Sequence, residues 1–195
     1  NRYAKKSYSA GGIDLIINYY FKNKKKGIYI DVGANHPFKD NNTFKLYQKG
    51  WQGINIDLDS QAIDIFNYFR PDDENICAAV SETVTEKDLY FHHNRSPINT
   101  LEKRLGYRAK EIKKIKTTNL NQILEHSKFK NLELDFLSID VEGHELEVVK
   151  GLNFEKFLPK IIVIEHQDQE MKKVQFYNQN IERTTVSYTH LRAHE

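Results

Sequence analysis

The chain has 195 residues, about one domain's worth, and is long enough to bury a single sizeable core. Lys and Arg (29) nearly cancel Asp and Glu (27) to a net charge of +2, which argues against a dedicated nucleic-acid binder. One cysteine, Cys77, excludes a disulfide framework and a multi-cysteine zinc site.

In chain order, Ile13, Ile16, Ile17, Tyr20 and Phe21 fall at helical spacing and predict an amphipathic helix. The lysine cluster from Lys22 to Lys26 and then Gly27 close it. Ile28 to Val32 reads as a buried strand stopped by Gly33, and Gly53 to Asp57 as a second. Ser60 is the expected N-cap of a helix carrying Ile63, Phe66 and Phe69, which ends before Pro71. A third strand is expected over Ile76–Val80. Leu89–Phe91 and Ile115–Thr118 are expected to pair as an inserted hairpin around a polar stretch from His92 to Lys114. A helix through Leu120, Ile123 and Leu124 precedes a fourth main strand, Leu134–Asp140. A helix from Glu145 to Lys150 and a fifth strand, Lys160–Glu165, complete the pattern. Strands alternating with helices predict one α/β domain, residues 1–185, with a mostly parallel sheet covered on both faces.

No apolar stretch approaches the ~18 residues of a spanning helix, and no secretory pattern opens the chain. The expectation is a cytoplasmic protein without membrane insertion. The sequons at Asn41 and Asn94 are read as chance. Residues 186–195 lack the periodicity of the rest and resemble translated adapter sequence, so they are set apart as a non-native-looking tail.

Chemistry in such a sheet belongs at the carboxyl ends of the strands, where strand order reverses. Four expected strands run into polar groups there: Asp31 with Gly33 and Asn35, Asp57 with Asp59, Asp140 with Glu142, and Glu165 with His166. Gly33 permits a tight turn, but a single glycine is no Gly-x-Gly-x-x-Gly cradle, so a dinucleotide enzyme is the weaker reading. Asp57 suits the hydroxyls of a cofactor ribose. Asp140, Glu142 and His144 alternate along the chain and, if extended, share one face. A divalent metal on Asp140, Glu165 and a histidine is chemically possible but not expected.

These residues carry a resemblance to a known family. Tyr29–Asn35, Asn42-Thr43, Gly50–Asp57, Ala78–Ser81 and Phe136–Glu147, with its Asp-Val-Glu-Gly-His-Glu run, resemble the FkbM family of S-adenosylmethionine-dependent methyltransferases. The likeness covers roughly residues 7 to 167. It implies a Rossmann-like class I methyltransferase sheet, mostly parallel, with a small β insertion between strands 3 and 4. It also implies methyl transfer to a hydroxyl of a sugar, glycan or natural product. By that likeness Asp31, Gly33 and Asn35 would line the methionine end of S-adenosylmethionine, and Thr43 would be a further cofactor-binding residue. Asp57 would hold the ribose, Leu58, Ala79 and Val80 would flank the adenine, and Asp140 and Glu142 would close the site. The family's early Gln-x-Gly-Glu-Asp segment appears here as Ala10–Asp14, keeping Gly12 and Asp14, and Ser138 stands where a lysine is frequent. The family sheet ends in an antiparallel pair, so a sheet truncated after its fifth strand, with one exposed edge, is expected.

His144 is the expected base, with Asp140 second, because an imidazole titrates near neutrality. His36 and Asn42 are placed within reach of the cleft, and Trp51 in the core. The basic set Arg95, Lys103, Arg104, Arg108, Lys110, Lys113 and Lys114 is a candidate grip for an anionic acceptor, with a solvated face favoured. The competing functions are a nucleotide-binding oxidoreductase and a non-catalytic truncated domain.

Overall fold

The computed structural model describes residues 5–165 and the backbone of 185–188. A 3-10 turn (Ala10–Gly12) leads into α1 (Ile13–Tyr20) and β1 (Ile28–Val32). After a long loop come α2 (Phe44–Tyr47), β2 (Gln52–Asp57), α3 (Ser60–Phe69), β3 (Glu74–Cys77) and β4 (Ala79–Val80). Next are β5 (Glu86–Phe91), β6 (Glu111–Thr118), α4 (Leu120–His126), β7 (Phe136–Ile139), α5 (Glu145–Lys150), β8 (Ile161–Glu165) and β9 (Thr185–Tyr188).

The main sheet has six strands in the order β3-β2-β1-β7-β8-β9, every neighbouring pair parallel. Its strands are short and apolar because both faces are covered. Ile30, Val32, Leu137, Ile139 and Ile164 face one core with Leu120 and Leu124 of α4 and Val148 and Val149 of α5. Tyr29, Phe136, Ile161 and Val163 face the other with Ile13, Ile17 and Phe21, and Trp51 lies buried among them. The two sets alternate along each strand as the pleat requires. Asp14 is buried at the start of α1, where it accepts from Ser7 Oγ (2.7 Å) and the Tyr8 N–H (2.9 Å).

Three expectations change. The strand foreseen over Ile76–Val80 is two strands, because Ala78 N–H donates to Asp57 O (2.9 Å) and the chain then leaves the main sheet. Ala79 and Val80 pair instead with Thr117 and Thr118 of β6, which is antiparallel to β5 in a three-stranded sheet ordered β4-β6-β5. The inserted hairpin is therefore real, longer than expected, and tied to the third strand. The N-cap of α3 is Asp59, whose carboxylate accepts the Gln61 N–H (2.8 Å), and Ser60 is already helical. Finally, the edge of β8 is not bare. Thr185–Tyr188 pairs with Ile162–Glu165 in parallel, so Val186–Tyr188 of the segment set apart lie in the sheet and satisfy backbone groups of β8 that would otherwise lack partners. Among the described residues, no helix is long and apolar enough to cross a membrane.

Candidate active site

Strand order reverses between β1 and β7, and the registers make the strands finish together. Val32 sits beside both Ile56 and Ile139, and Ile139 beside Ile164. Outside those ends lies a cavity of about 500 Å3, within the ~300–1,000 Å3 range of small-molecule sites. It is walled by Gly33 and Asn35 after β1, Asp57 to Asp59 after β2, and Ala78 to Val80. Asp140 to Glu142 and His144 after β7, and Glu165 of β8, form the opposite side. Ala10 contributes from the segment before α1, Lys39, Asp40 and Asn42 from the loop after β1, and Arg95 to Pro97 and Asn99 to Leu101 from the insertion.

Gly33 has a φ of +76°, and a Cβ there would run into the backbone carbonyl of Asp140. The glycine is thus required by the close approach of two strand ends within the protein. Gly33 and Ala34 N–H both donate to Ile56 O (2.9 and 3.0 Å), which folds the chain across β2. The helix that follows this turn, α2, begins only at Phe44 and is a single turn.

Asp31 and Thr43 do not reach the cavity. Asp31 is 4% exposed on the α1 face of β1, and its Oδ2 accepts from Asn41 Nδ2 (3.0 Å) and Thr43 Oγ1 (2.9 Å). Burial raises its pKa, opposed by Thr43, Arg70 and Asn41. Behind this pair lies Arg70, wholly buried, which donates to Thr43 Oγ1 (2.8 Å), Asn41 Oδ1 (2.7 Å) and the Pro37 carbonyl. Its guanidinium also lies about 5 Å from the rings of Phe44, Tyr47 and Phe66. The loop 37–43 is thereby fixed from beneath, and it presents Lys39, Asp40 and Asn42 to the cavity. The amides of Asn41 and Asn42 are buried and engaged, the latter on Ser138 Oγ (3.1 Å), so neither is a glycan acceptor. His36 is not in the wall.

Asp57 lines the cavity. Its Oδ2 accepts the Asn35 N–H and its Oδ1 the Asp59 N–H, both at 2.8 Å. A carboxylate oxygen that accepts one hydrogen bond retains a second acceptor site. Burial raises its pKa, opposed by those two N–H groups. Leu58, Ala79 and Val80 form an apolar wall beside it.

Asp140, Glu142 and His144 all line the cavity, but not through strand alternation. β7 ends at Ile139, and Glu142 (φ +54°) and Gly143 (φ +95°) turn the chain back. Glu145 Oε1 holds the turn by accepting the Val141 and Gly143 N–H groups (3.2 and 2.9 Å). Asp140, Glu142 and Glu165 each bring an oxygen within 4.8 Å of the others. Burial and then the Glu165 carboxyl hold the Asp140 pKa well above the usual carboxylate range. Such an all-oxygen set fits a hard divalent cation. The expected histidine is not in it: His166 lies outside the described residues, and His144 groups with Glu102 and Glu147.

His144 is 3% exposed, and both ring nitrogens are taken. Nδ1 is 2.7 Å from Glu102 Oε1, and Nε2 is 3.0 Å from Ser81 Oγ. The ring is thus held between a hydroxyl and a carboxylate. Of the basic set in the insertion, only Arg95 lines the cavity. Its N–H donates to Asp59 Oδ2 and its Nη2 to Asn35 O (2.9 Å), so it links two strand-end turns. Sequence reasoning missed Arg70, Ser81 and Glu102. The phrase Phe-Arg-Pro at a helix end was the one visible cue to Arg70.

The model of the methyltransferase FkbM domain matches residues 31–191. No curated protein and no solved structure matches the chain. The matched span runs through every main-sheet strand from Asp31 onward and through every strand-end turn that walls the cavity after β1. With its parallel sheet and inserted hairpin, the chain belongs to the FkbM family of S-adenosylmethionine-dependent methyltransferases.

Proposed function

We propose that the protein transfers the methyl group of S-adenosylmethionine to a hydroxyl of a sugar, glycan or related natural product. The observation that carries this reading is the convergence, around one cavity at the switch point, of a hydrogen-bonded Asp57 and the Asp140–Glu165 pair. The residues fit the cofactor. Asp57 has lone pairs for two ribose hydroxyls, Leu58, Ala79 and Val80 offer an apolar slot for the adenine, and Gly33 and Asn35 stand at the methionine end. Asp31 and Thr43 serve this arrangement from behind, by holding loop 37–43.

The bound cofactor supplies a methyl group on a sulfonium, already activated for displacement. The protein's tasks are in-line alignment and removal of the hydroxyl proton as the new C–O bond forms and the S–C bond breaks. Asp140 is the base in this reading, in place of His144. Burial and Glu165 make its carboxylate a stronger base than a free aspartate. A divalent cation on the three carboxylates would offset the negative charge gathered there.

The test is calorimetric titration with S-adenosylmethionine, S-adenosylhomocysteine and NADH, followed by transfer of radiolabelled methyl to neutral, amino and phosphorylated sugars. Binding of both sulfur nucleosides with label appearing in a sugar supports the proposal. Binding of NADH alone, or sulfur nucleosides bound while label goes only to nitrogen, overturns it.

A further inference from the structure

The insertion between β5 and β6 supplies one wall of the cavity and is attached to the strand-end turns by polar contacts. At its start, Arg95 reaches Asp59 and Asn35. At its far end, Thr100 Oγ1 donates to the Glu142 carbonyl (2.7 Å), and Glu102 meets His144. Packing reinforces this second attachment: a Cβ on Gly143 would lie 2.6 Å from Leu105 Cδ1 and 3.3 Å from Glu102 Cγ.

The imidazole is central to that attachment. A carboxylate only accepts, so the 2.7 Å contact with Glu102 places the ring proton on Nδ1. Nε2 then carries the lone pair and accepts from the Ser81 hydroxyl at 3.0 Å. Ser81 follows β4 directly and is wholly buried, with its N–H on Thr118 O (2.8 Å). One ring therefore joins three separate parts: the turn after β7, the small sheet, and the insertion. Glu147 Oε2, 3.8 Å from Nδ1, is the other acid facing it.

We infer that His144 is a positioning residue, which through a Ser81–His144–Glu102 hydrogen-bond chain fastens the insertion over the cavity. It touches no reacting atom. Its effect on methyl transfer runs through the wall segment Arg95–Leu101, so the inference rests on the cavity being the cofactor site only for its binding consequence.

The experiment uses the full chain and the variants Glu102→Ala, Glu102→Gln and Ser81→Ala. Nitrogen-15 spectra of the ligand-free protein should show His144 protonated at Nδ1. Hydrogen–deuterium exchange of amides 93–106 should accelerate about tenfold in E102A, the loss expected of a charge-assisted bond. Affinity for S-adenosylhomocysteine should fall by about the same factor. E102Q, whose amide oxygen still accepts from Nδ1, should recover part of both; S81A should keep the ring proton on Nδ1 because Glu102 still accepts it, while E102A should shift the ring toward the other tautomer. An Nε2–H tautomer in the native protein, unchanged exchange in E102A, or an E102Q variant no better than E102A would overturn the inference. The spectra and the exchange need no ligand. A chain that passes them but binds no S-adenosylhomocysteine sinks the proposed function and keeps the latch.

Discussion

Asn35, Asp40, Arg95 and Glu142 are the non-glycine residues with positive φ among the described residues, and all four line the cavity. Backbone in that region costs of order 1–3 kcal/mol per residue and persists where the surroundings impose it. Here the imposing contacts are visible: Asp57 on the Asn35 N–H, Asp59 on the Arg95 N–H, Thr100 on the Glu142 carbonyl. Asp140 adds an electrostatic cost. Its folded pKa is raised, so the stability it contributes is present below the ordinary aspartate value of about 3.9 and is lost as pH rises through the folded value. Asp140→Asn cannot ionise. It should gain ~1 kcal/mol, about 2–4 °C of melting temperature in a chain this size, at pH 8. At pH 5 the gain should shrink, while methyl transfer falls at both. Melting curves of the two proteins at the two pH values check this, and an equal or larger gain at pH 5 would refute the assignment.

At the scale of elements, the strands carry few functional side chains themselves and act by ending in register. Val32, Ile56, Ile139 and Ile164 stand side by side, and the following turns do the rest. The most demanding of these is the 37–43 loop, which has no regular structure of its own beyond a few bends and depends on Arg70 at the end of α3. Arg70→Met leaves Asp31, Asp73 and two asparagines without their cation or donor. The expected loss is ~3–5 kcal/mol, the usual consequence of breaking a buried charge network from one side, read as a lower urea midpoint. A midpoint within experimental scatter of the native protein would show that the aromatic cage, not the guanidinium, holds the loop.

On the scale of the whole molecule, the cavity is where two sheets meet: Asp57 belongs to the large one and Asp140 follows its strand β7, Ala79 and Val80 belong to the small one, and the insertion adds a wall. A ligand filling it ties these parts together and binds only the folded state. At a hundredfold excess over Kd, S-adenosylhomocysteine should stabilise by ~2.7 kcal/mol, about 5–10 °C in melting temperature. NADH at the same concentration should produce no shift. A shift with neither ligand, or with NADH alone, would separate the folded domain from the cofactor chemistry assigned to it.

What the sequence determined by itself is the parallel α/β order, the strand positions near Asp31, Asp57, Asp140 and Glu165, and the family. Short apolar runs interleaved with helical stripes leave little choice about local structure, and chain order sets which strand ends carry acids. The tertiary structure alone decided which of those acids face the cavity. Asp31 turns inward because the pleat puts it on the face of Tyr29 and Phe136, where Asn41 and Thr43 await it. His144 is held between Ser81 and Glu102, partners 63 and 42 residues distant along the chain. Hydrogen-bond pairing across such separations has no periodic trace in sequence, because it depends on where the insertion folds back. The splitting of the third strand and the pairing of β9 with β8 were hidden for the same reason: an edge chooses its partner in space.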